Sequence, residues 1–157
     1  MKRDYIIEAP SVIDFIPTKK FGNALYVNRE QPISIFKAVE QIATYFQKEG
    51  GFSFLQYSAY EKRRIKTTDA YIWIDEDWDD TLAIGACAFS KDGDVGGNGK
   101  WGLQWVWIHP YYRNRGLLTE AWPHFEKKYG KCFDIEKPLS KHMESFLNKM
   151  AISKNDE

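Results

Sequence analysis

Val106-Trp107-Ile108-His109-Pro110-Tyr111-Tyr112-Arg113-Asn114-Arg115-Gly116-Leu117-Leu118 is the stretch on which the reading of the fold turns. It holds three pieces in a row: an apolar run ending at Ile108, a turn carrying two guanidinium groups, and a glycine at the mouth of a helix. The first amides of a helix have no intrahelical acceptor, and the helix dipole there favours negative charge. Gly116 lets a ligand approach the main chain, and Arg113 and Arg115 can add charge-assisted bonds to phosphate. This junction predicts an anion-binding turn suited to a pyrophosphate.

Working outward, Trp101 to Ile108 reads as a strand too apolar for a solvated edge. Before it, Ala70-Tyr71-Ile72-Trp73-Ile74 and Thr81 to Phe89 flank the acidic turn Asp75–Asp80, the pattern of an antiparallel hairpin. Phe52-Ser53-Phe54-Leu55 carries a further strand signal. Between Pro32 and about Glu49, Ile35, Phe36, Val39, Ile42, Ala43 and Phe46 recur at steps of three and four, which predicts an amphipathic helix. Pro32 suits its first turn and Gly50-Gly51 its left-handed stop. The first thirty residues read as short extended pieces, Tyr5–Ile7 and Ala24–Val27, divided by prolines and Gly22.

After the turn, Gly116 to about Tyr129 reads as a helix interrupted by Pro123, which removes one backbone donor. Phe133–Glu136 is a short strand, and Pro138 opens a last amphipathic helix with Leu139, Met143, Phe146, Leu147 and Met150. Helix, three-stranded meander, helix, strand, helix is an α+β order, not an alternating doubly wound one. The chain predicts one domain over 1–150 and a tail over 151–157.

Composition bounds the function. The chain has 157 residues, enough to bury roughly 68–70% of its unfolded surface without disulfides or metal. Aromatic residues are 16% of the chain, which excludes intrinsic disorder. Basic and acidic residues number 22 each, so a basic nucleic-acid-binding surface is disfavoured. Cys87 and Cys132 are too few for a disulfide framework or a four-ligand zinc site, so no metal is expected; both sit in apolar stretches and read as small buried hydrophobes. No apolar run is long enough to span a bilayer, and the start of the chain lacks a signal-peptide core. The expected location is cytoplasmic, with no membrane partner.

The turn resembles the signature of the GNAT superfamily of acyl-coenzyme A N-acetyltransferases, a strand followed by Arg/Gln-x-x-Gly-x-Gly/Ala opening a helix. This chain supplies Arg113 and Gly116, and departs at the last motif position with Leu118. The likeness extends from about Tyr71 to Met150. It implies a mixed, mostly antiparallel central sheet with helices on both faces and a splayed parallel strand pair at its centre, here Trp105–Ile108 and Phe133–Glu136. A narrower likeness, through the same turn and Pro138-Leu139-Ser140, is to the sister-chromatid-cohesion acetyltransferases and their bacterial relatives; the zinc finger of the eukaryotic enzymes is absent.

The resemblance implies acetyl-coenzyme A as co-substrate and an amine as acceptor: a protein lysine, an N-terminus or a small molecule. Val106, Ile108, Arg113, Asn114, Arg115, Gly116, Leu117 and Leu118 are the residues expected to bind the coenzyme, with the Val106 and Ile108 amides pairing the pantetheine arm and polarising the thioester. A lysine-type amine, with a free pKa of about 10.4, must lose a proton before it attacks. The family's thiolate acid is a tyrosine in the last helix, directly after an aromatic; here Leu147 follows Phe146. Glu136, Ser140 and His109 are the polar candidates left for catalysis, and His142 for proton relay. The alternative is a catalytically weak module that binds an acyl-coenzyme A or a protein. A third reading, an interaction protein without coenzyme, is motivated by the aromatic load alone. Many GNAT domains carry two further strands, so the short C-terminus predicts an open acceptor site, which leaves a protein acceptor or completion by a partner chain in an oligomer open.

Overall fold

Ile35, Phe36, Val39, Ile42 and Ala43, the apolar positions three and four apart, are all buried along one face of α1 (Ile33–Gly50). Pro32 precedes the first turn, and Gly51, at φ 69°, closes the last by donating its amide to the Gln47 carbonyl. The computed structural model describes residues 6–53, 55–62, 67–75, 81–91, 100–136 and 139–155, with only the backbone for 61–62 and 152–155. The remaining elements are β1 (Lys20–Phe21), β2 (Ala24–Val27), the single turn α2 (Ala59–Lys62), β3 (Thr68–Asp75), β4 (Leu82–Ser90), β5 (Gly102–Ile108), α3 (Leu117–Tyr129), β6 (Asp134–Ile135) and α4 (Lys141–Asn155). A one-turn 3-10 helix, Pro110–Tyr112, lies between β5 and α3.

The strands form one sheet in the order β1-β2-β3-β4-β5-β6, antiparallel except for β5 and β6. Alternation along β3 explains its two buried faces. Ala70 and Ile72 pack with α1, Ala86, Ala88, Trp105 and Trp107. Tyr71 and Trp73 turn the other way, toward Cys87, Phe89, Leu103, Trp122, Phe125 and Met143 under α3 and α4. Helices therefore cover both faces, and the α+β class with its mixed sheet stands. α3 runs through Pro123 without ending.

The parallel pair touches only at its base, where Gly102 faces Asp134 and Leu103 faces Ile135. The Glu136 amide adds a bond to the Leu103 carbonyl at 2.9 Å. β6 then stops, while β5 continues for five more residues paired only with β4. The pair forms one side of the sheet, with no strand beyond β6 among the described residues.

Several local expectations differ from what forms. Phe52, Ser53 and Leu55 join no strand, and neither do Ile6 and Ile7. The amino-terminal chain pairs instead through Ser11 with Leu82, the Val12 amide reaching Thr81 and the Ala83 amide reaching Pro10. Those partners lie some seventy residues away, so no local pattern signals them. Cys87 is buried as expected, but Cys132 is exposed in the turn before β6. α4 continues to Asn155, into the stretch read as a tail. Glu76–Asp80, the glycine-rich 93–99, Arg63, Arg64 and Pro138 fall outside the described residues.

Candidate functional site

The phase of β5 decides which of its amides face outward. His109 donates its amide to the Ile84 carbonyl at 2.8 Å, and Trp107 and Trp105 stand opposite Ala86 and Ala88 in the same antiparallel ladder. In such a ladder the intervening residues direct N–H and C=O away from the partner strand. Val106 and Ile108 therefore point their backbone groups to the side that β6 leaves open. The Ile108 carbonyl confirms the phase, since Arg113 Nε reaches it at 2.7 Å from that side.

Beyond Ile108 the chain turns sharply. His109 Nδ1 accepts the Tyr111 amide, Tyr112 donates to the His109 carbonyl, and Arg113 to Pro110. Asn114 (φ 63°) and Gly116 (φ 82°) both adopt left-handed backbone, which swings the chain into α3. A Cβ at Gly116 would meet nothing within 4 Å, so the space over the helix mouth is open. Glu120 makes the first helical bond, to Gly116. The amides of Asn114, Gly116, Leu117, Leu118 and Thr119 have no acceptor among the described residues, so they leave a run of donors at the helix mouth, the kind of site that binds anions. Leu117 and Leu118 turn their side chains toward the core beneath α3. Leu118, which occupies the motif's small-residue position, thus adds its bulk on the inner side.

The two arginines of the turn part company. Arg113 is largely buried: Nε holds Ile108, one terminal nitrogen lies 2.8 Å from His142 Nε2, and the other 2.8 Å from Glu49 Oε2. Its guanidinium also lies 5.5 Å from the Trp107 ring centre. Arg115 goes the other way and stacks on Tyr111 at 4.4 Å. Asn114 Oδ1 faces the Lys149 ammonium at 3.5 Å. The pKa of His142 is lowered first by burial and then by Arg113, against an opposing pull from Glu49.

A cleft of about 590 Å³ lies on the Arg115 side of the turn. Leu82 and Ile84 give it apolar walls; Asp75, His109, Tyr111, Tyr112 and Arg115 give it polar ones. The Tyr112 hydroxyl donates to Asp75. His109 thus lines a cavity as well as capping the 3-10 turn. Ser140 caps α4, its Oγ accepting the Met143 amide at 3.1 Å. Glu136 is partly exposed at the end of β6. Leu147 packs into the cluster beneath α3 and α4 and offers no hydroxyl. Glu49 is the residue at this site that the sequence did not reveal, being 64 positions from Arg113.

The profile of the acetyltransferase (GNAT) family matches residues 38–149. The chain belongs to the GNAT acetyltransferase family. It is accordingly an acyltransferase. Solved structures share the fold at low identity. One is a Bacillus halodurans protein solved as a tetramutant, at 12% identity, 82% coverage of this chain, 91% of that chain and a TM-score of 0.54. Another is an aminoglycoside acetyltransferase from an uncultured soil metagenomic sample, solved with sisomicin, at 8% identity, 83% and 84% coverage and a TM-score of 0.53. Among curated proteins no significant match was found. The described residues contain no group of three or more His, Cys, Asp and Glu able to hold a metal, and no helix long and apolar enough to cross a membrane.

Proposed function

We propose that the chain is an acetyl-coenzyme A-dependent N-acetyltransferase that transfers the acetyl group to a primary amine by direct attack on the thioester. One observation carries the reading: the outward backbone groups of Val106 and Ile108 are followed, one tight turn later, by the amides of Asn114 and Gly116–Thr119, which have no acceptor among the described residues. The first set suits a strand-like pantetheine arm, the second a diphosphate. Val106 N–H stabilises the charge that develops on the thioester oxygen. Arg115 flanks the turn with positive charge, while Arg113 is paired with Glu49.

The acceptor reading rests on the cleft beside His109. Asp75 supplies a negative charge that draws an ammonium group, and Tyr111 and Tyr112 supply ring faces. The ammonium first gives up one proton to water; His109 then takes, at Nδ1, the proton that the amine nitrogen loses as it bonds to the acyl carbon, giving up the Tyr111 amide that Nδ1 accepts in the resting turn. The C–S bond then breaks, and the thiolate gains a proton. Leu147 removes the family's usual donor for that step, which leaves the polar pair Glu136 and Ser140 on the β6 side, or water. The same leucine is what favours the second reading, a domain that binds the coenzyme and turns over slowly.

Calorimetry with acetyl-coenzyme A, then thiol release across peptide lysines, peptide N-termini, polyamines and aminoglycosides, tests both readings. Binding with amine-dependent thiol release supports the enzyme, and binding without release supports the weak module. No binding overturns both.

A further inference from the structure

The strongest feature that the proposed reaction leaves unused is the position of Arg113. Every nitrogen of its guanidinium is engaged within the protein, and the three partners come from three elements. Nε holds the Ile108 carbonyl of β5, one terminal nitrogen meets His142 of α4, and the other Glu49 of α1. α1 covers one face of the sheet and α4 the other. The side chain thus crosses the open edge of β5 and ties together the two layers that flank it.

We infer that Arg113 is a clasp over the coenzyme groove: it closes the outward edge of β5 at Ile108 in the coenzyme-free protein, and entry of the acyl-pantetheine arm displaces it. This inference rests on the acetyltransferase reading and adds a regulation of that same site. The Ile108 carbonyl is the last acceptor on the open edge, so a strand-like ligand must take it from Arg113 Nε. The exchange is nearly balanced, one donor to that carbonyl for another.

The other two contacts can be given up at modest cost. Glu49 and His142 side chains are 28% and 60% exposed, so water replaces the guanidinium as it leaves. A partly exposed ion pair of this kind is weak enough for a ligand to break. A guanidinium has only donors, so His142 must offer Nε2 as an acceptor and carry its proton on Nδ1 while the clasp is shut. Once released, the guanidinium is five residues from Ile108 and three from Gly116, beside the donor-lined turn where a diphosphate would sit.

The test weakens the clasp without touching Arg113. Binding of coenzyme A to the parent protein, Glu49→Gln, His142→Ala and the double variant is measured by calorimetry, with thermal unfolding as the folding control. A shut state that competes with binding lowers the apparent affinity by its population, so each folded variant should bind about three- to tenfold tighter than the parent. Nitrogen-15 NMR should show the Arg113 Nε–H protected from exchange in the free protein and unprotected at saturating coenzyme A. If the parent binds and the variants bind equally or more weakly, or if the Nε–H stays protected at saturation, the clasp is wrong and the acetyltransferase reading stands. If the parent fails to bind and a variant binds, the clasp is supported in its strongest form. If none of the four proteins binds, the acetyltransferase reading itself fails and takes the clasp with it.

Discussion

The Tyr129 hydroxyl donates to Asp69 Oδ2 at 2.6 Å, which fastens the last turn of α3 to the first residues of β3. Around that bond, Tyr26 also donates to Asp69, Tyr71 and Tyr129 share a hydrogen bond at 2.5 Å, and the Lys128 ammonium sits 3.3 Å from the carboxylate. Four rings, of Phe21, Tyr26, Tyr71 and Tyr129, lie within 6 Å of that ammonium. Asp69 serves three donors, the Tyr26 and Tyr129 hydroxyls and the Lys128 ammonium. Replacing it with Ala should cost about 2–3 kcal/mol, and Tyr129→Phe about 1 kcal/mol. Thermal unfolding should show a fall of roughly 2–4 °C for each kcal/mol.

The same cluster predicts sensitivity to alkali. Burial and the neighbouring Asp69 carboxylate push the Tyr26 hydroxyl up to about 12. Tyr71 and Tyr129 are raised as well, mainly by burial. A phenol with a higher pKa in the folded protein contributes stability that is whole below the ordinary value of about 10 and is lost as pH rises toward the folded value. Melting temperature should therefore drop between pH 10 and 12. Tyr26→Phe should reduce that drop, and an unchanged alkaline slope would contradict the assignment.

Gly85 leaves no room for a side chain. A Cβ there would stand 3.0 Å from the Trp107 carbonyl and 3.2 Å from both the Ile108 and Trp73 side chains. The carbonyl belongs to the β4–β5 ladder and cannot move away cheaply. Gly85→Ala should lower stability by about 1–3 kcal/mol, and by shifting Ile108 it should weaken coenzyme A binding as well. Calorimetry on the refolded variant checks the second effect.

His142 predicts a modest acid effect. Its folded pKa is depressed, so its contribution is present above the ordinary histidine value of about 6.5 and is lost as pH falls through the lower folded value. A ring this exposed keeps the loss small. The melting temperature of His142→Ala should fall less steeply below pH 6.5 than that of the parent.

His109 can be tested without disturbing the turn. Asparagine retains an acceptor for the Tyr111 amide and is a favoured cap, while it removes the imidazole. His109→Asn should fold normally and lower kcat about a hundredfold with little change in coenzyme affinity. Asp75→Asn should act mainly on KM for the amine. Unchanged amine kinetics in both variants would move the acceptor away from this cleft.

What the sequence disclosed follows from range. The α1 stripe from Ile35 to Phe46, the alternation in β3 and the turn from Ile108 to Gly116 are local patterns, and each formed within a residue or two of its expected bounds. Pairings over long separations left no such trace. Ser11 joins Leu82, and Glu49 joins Arg113, only because the sheet brings them together. Phe52–Leu55 has strand chemistry, yet Phe52 stacks on Phe46 at 5.0 Å and follows the end of α1 instead. The tight turn from β5 into α3 was legible from its sequence. The engagement of its first arginine by α1 and α4 was not, since nothing in Arg-x-x-Gly states where the side chain goes.

The central claim is that outward main-chain donors on β5 and at the mouth of α3 hold an acyl-coenzyme A. Residue-resolved amide exchange, with and without saturating acetyl-coenzyme A, addresses it most directly. Exchange should slow at Val106, Ile108 and Gly116–Thr119, and Gly116→Glu should abolish the slowing. Unchanged exchange at these amides while the ligand is bound elsewhere, or no binding at all, would contradict the account.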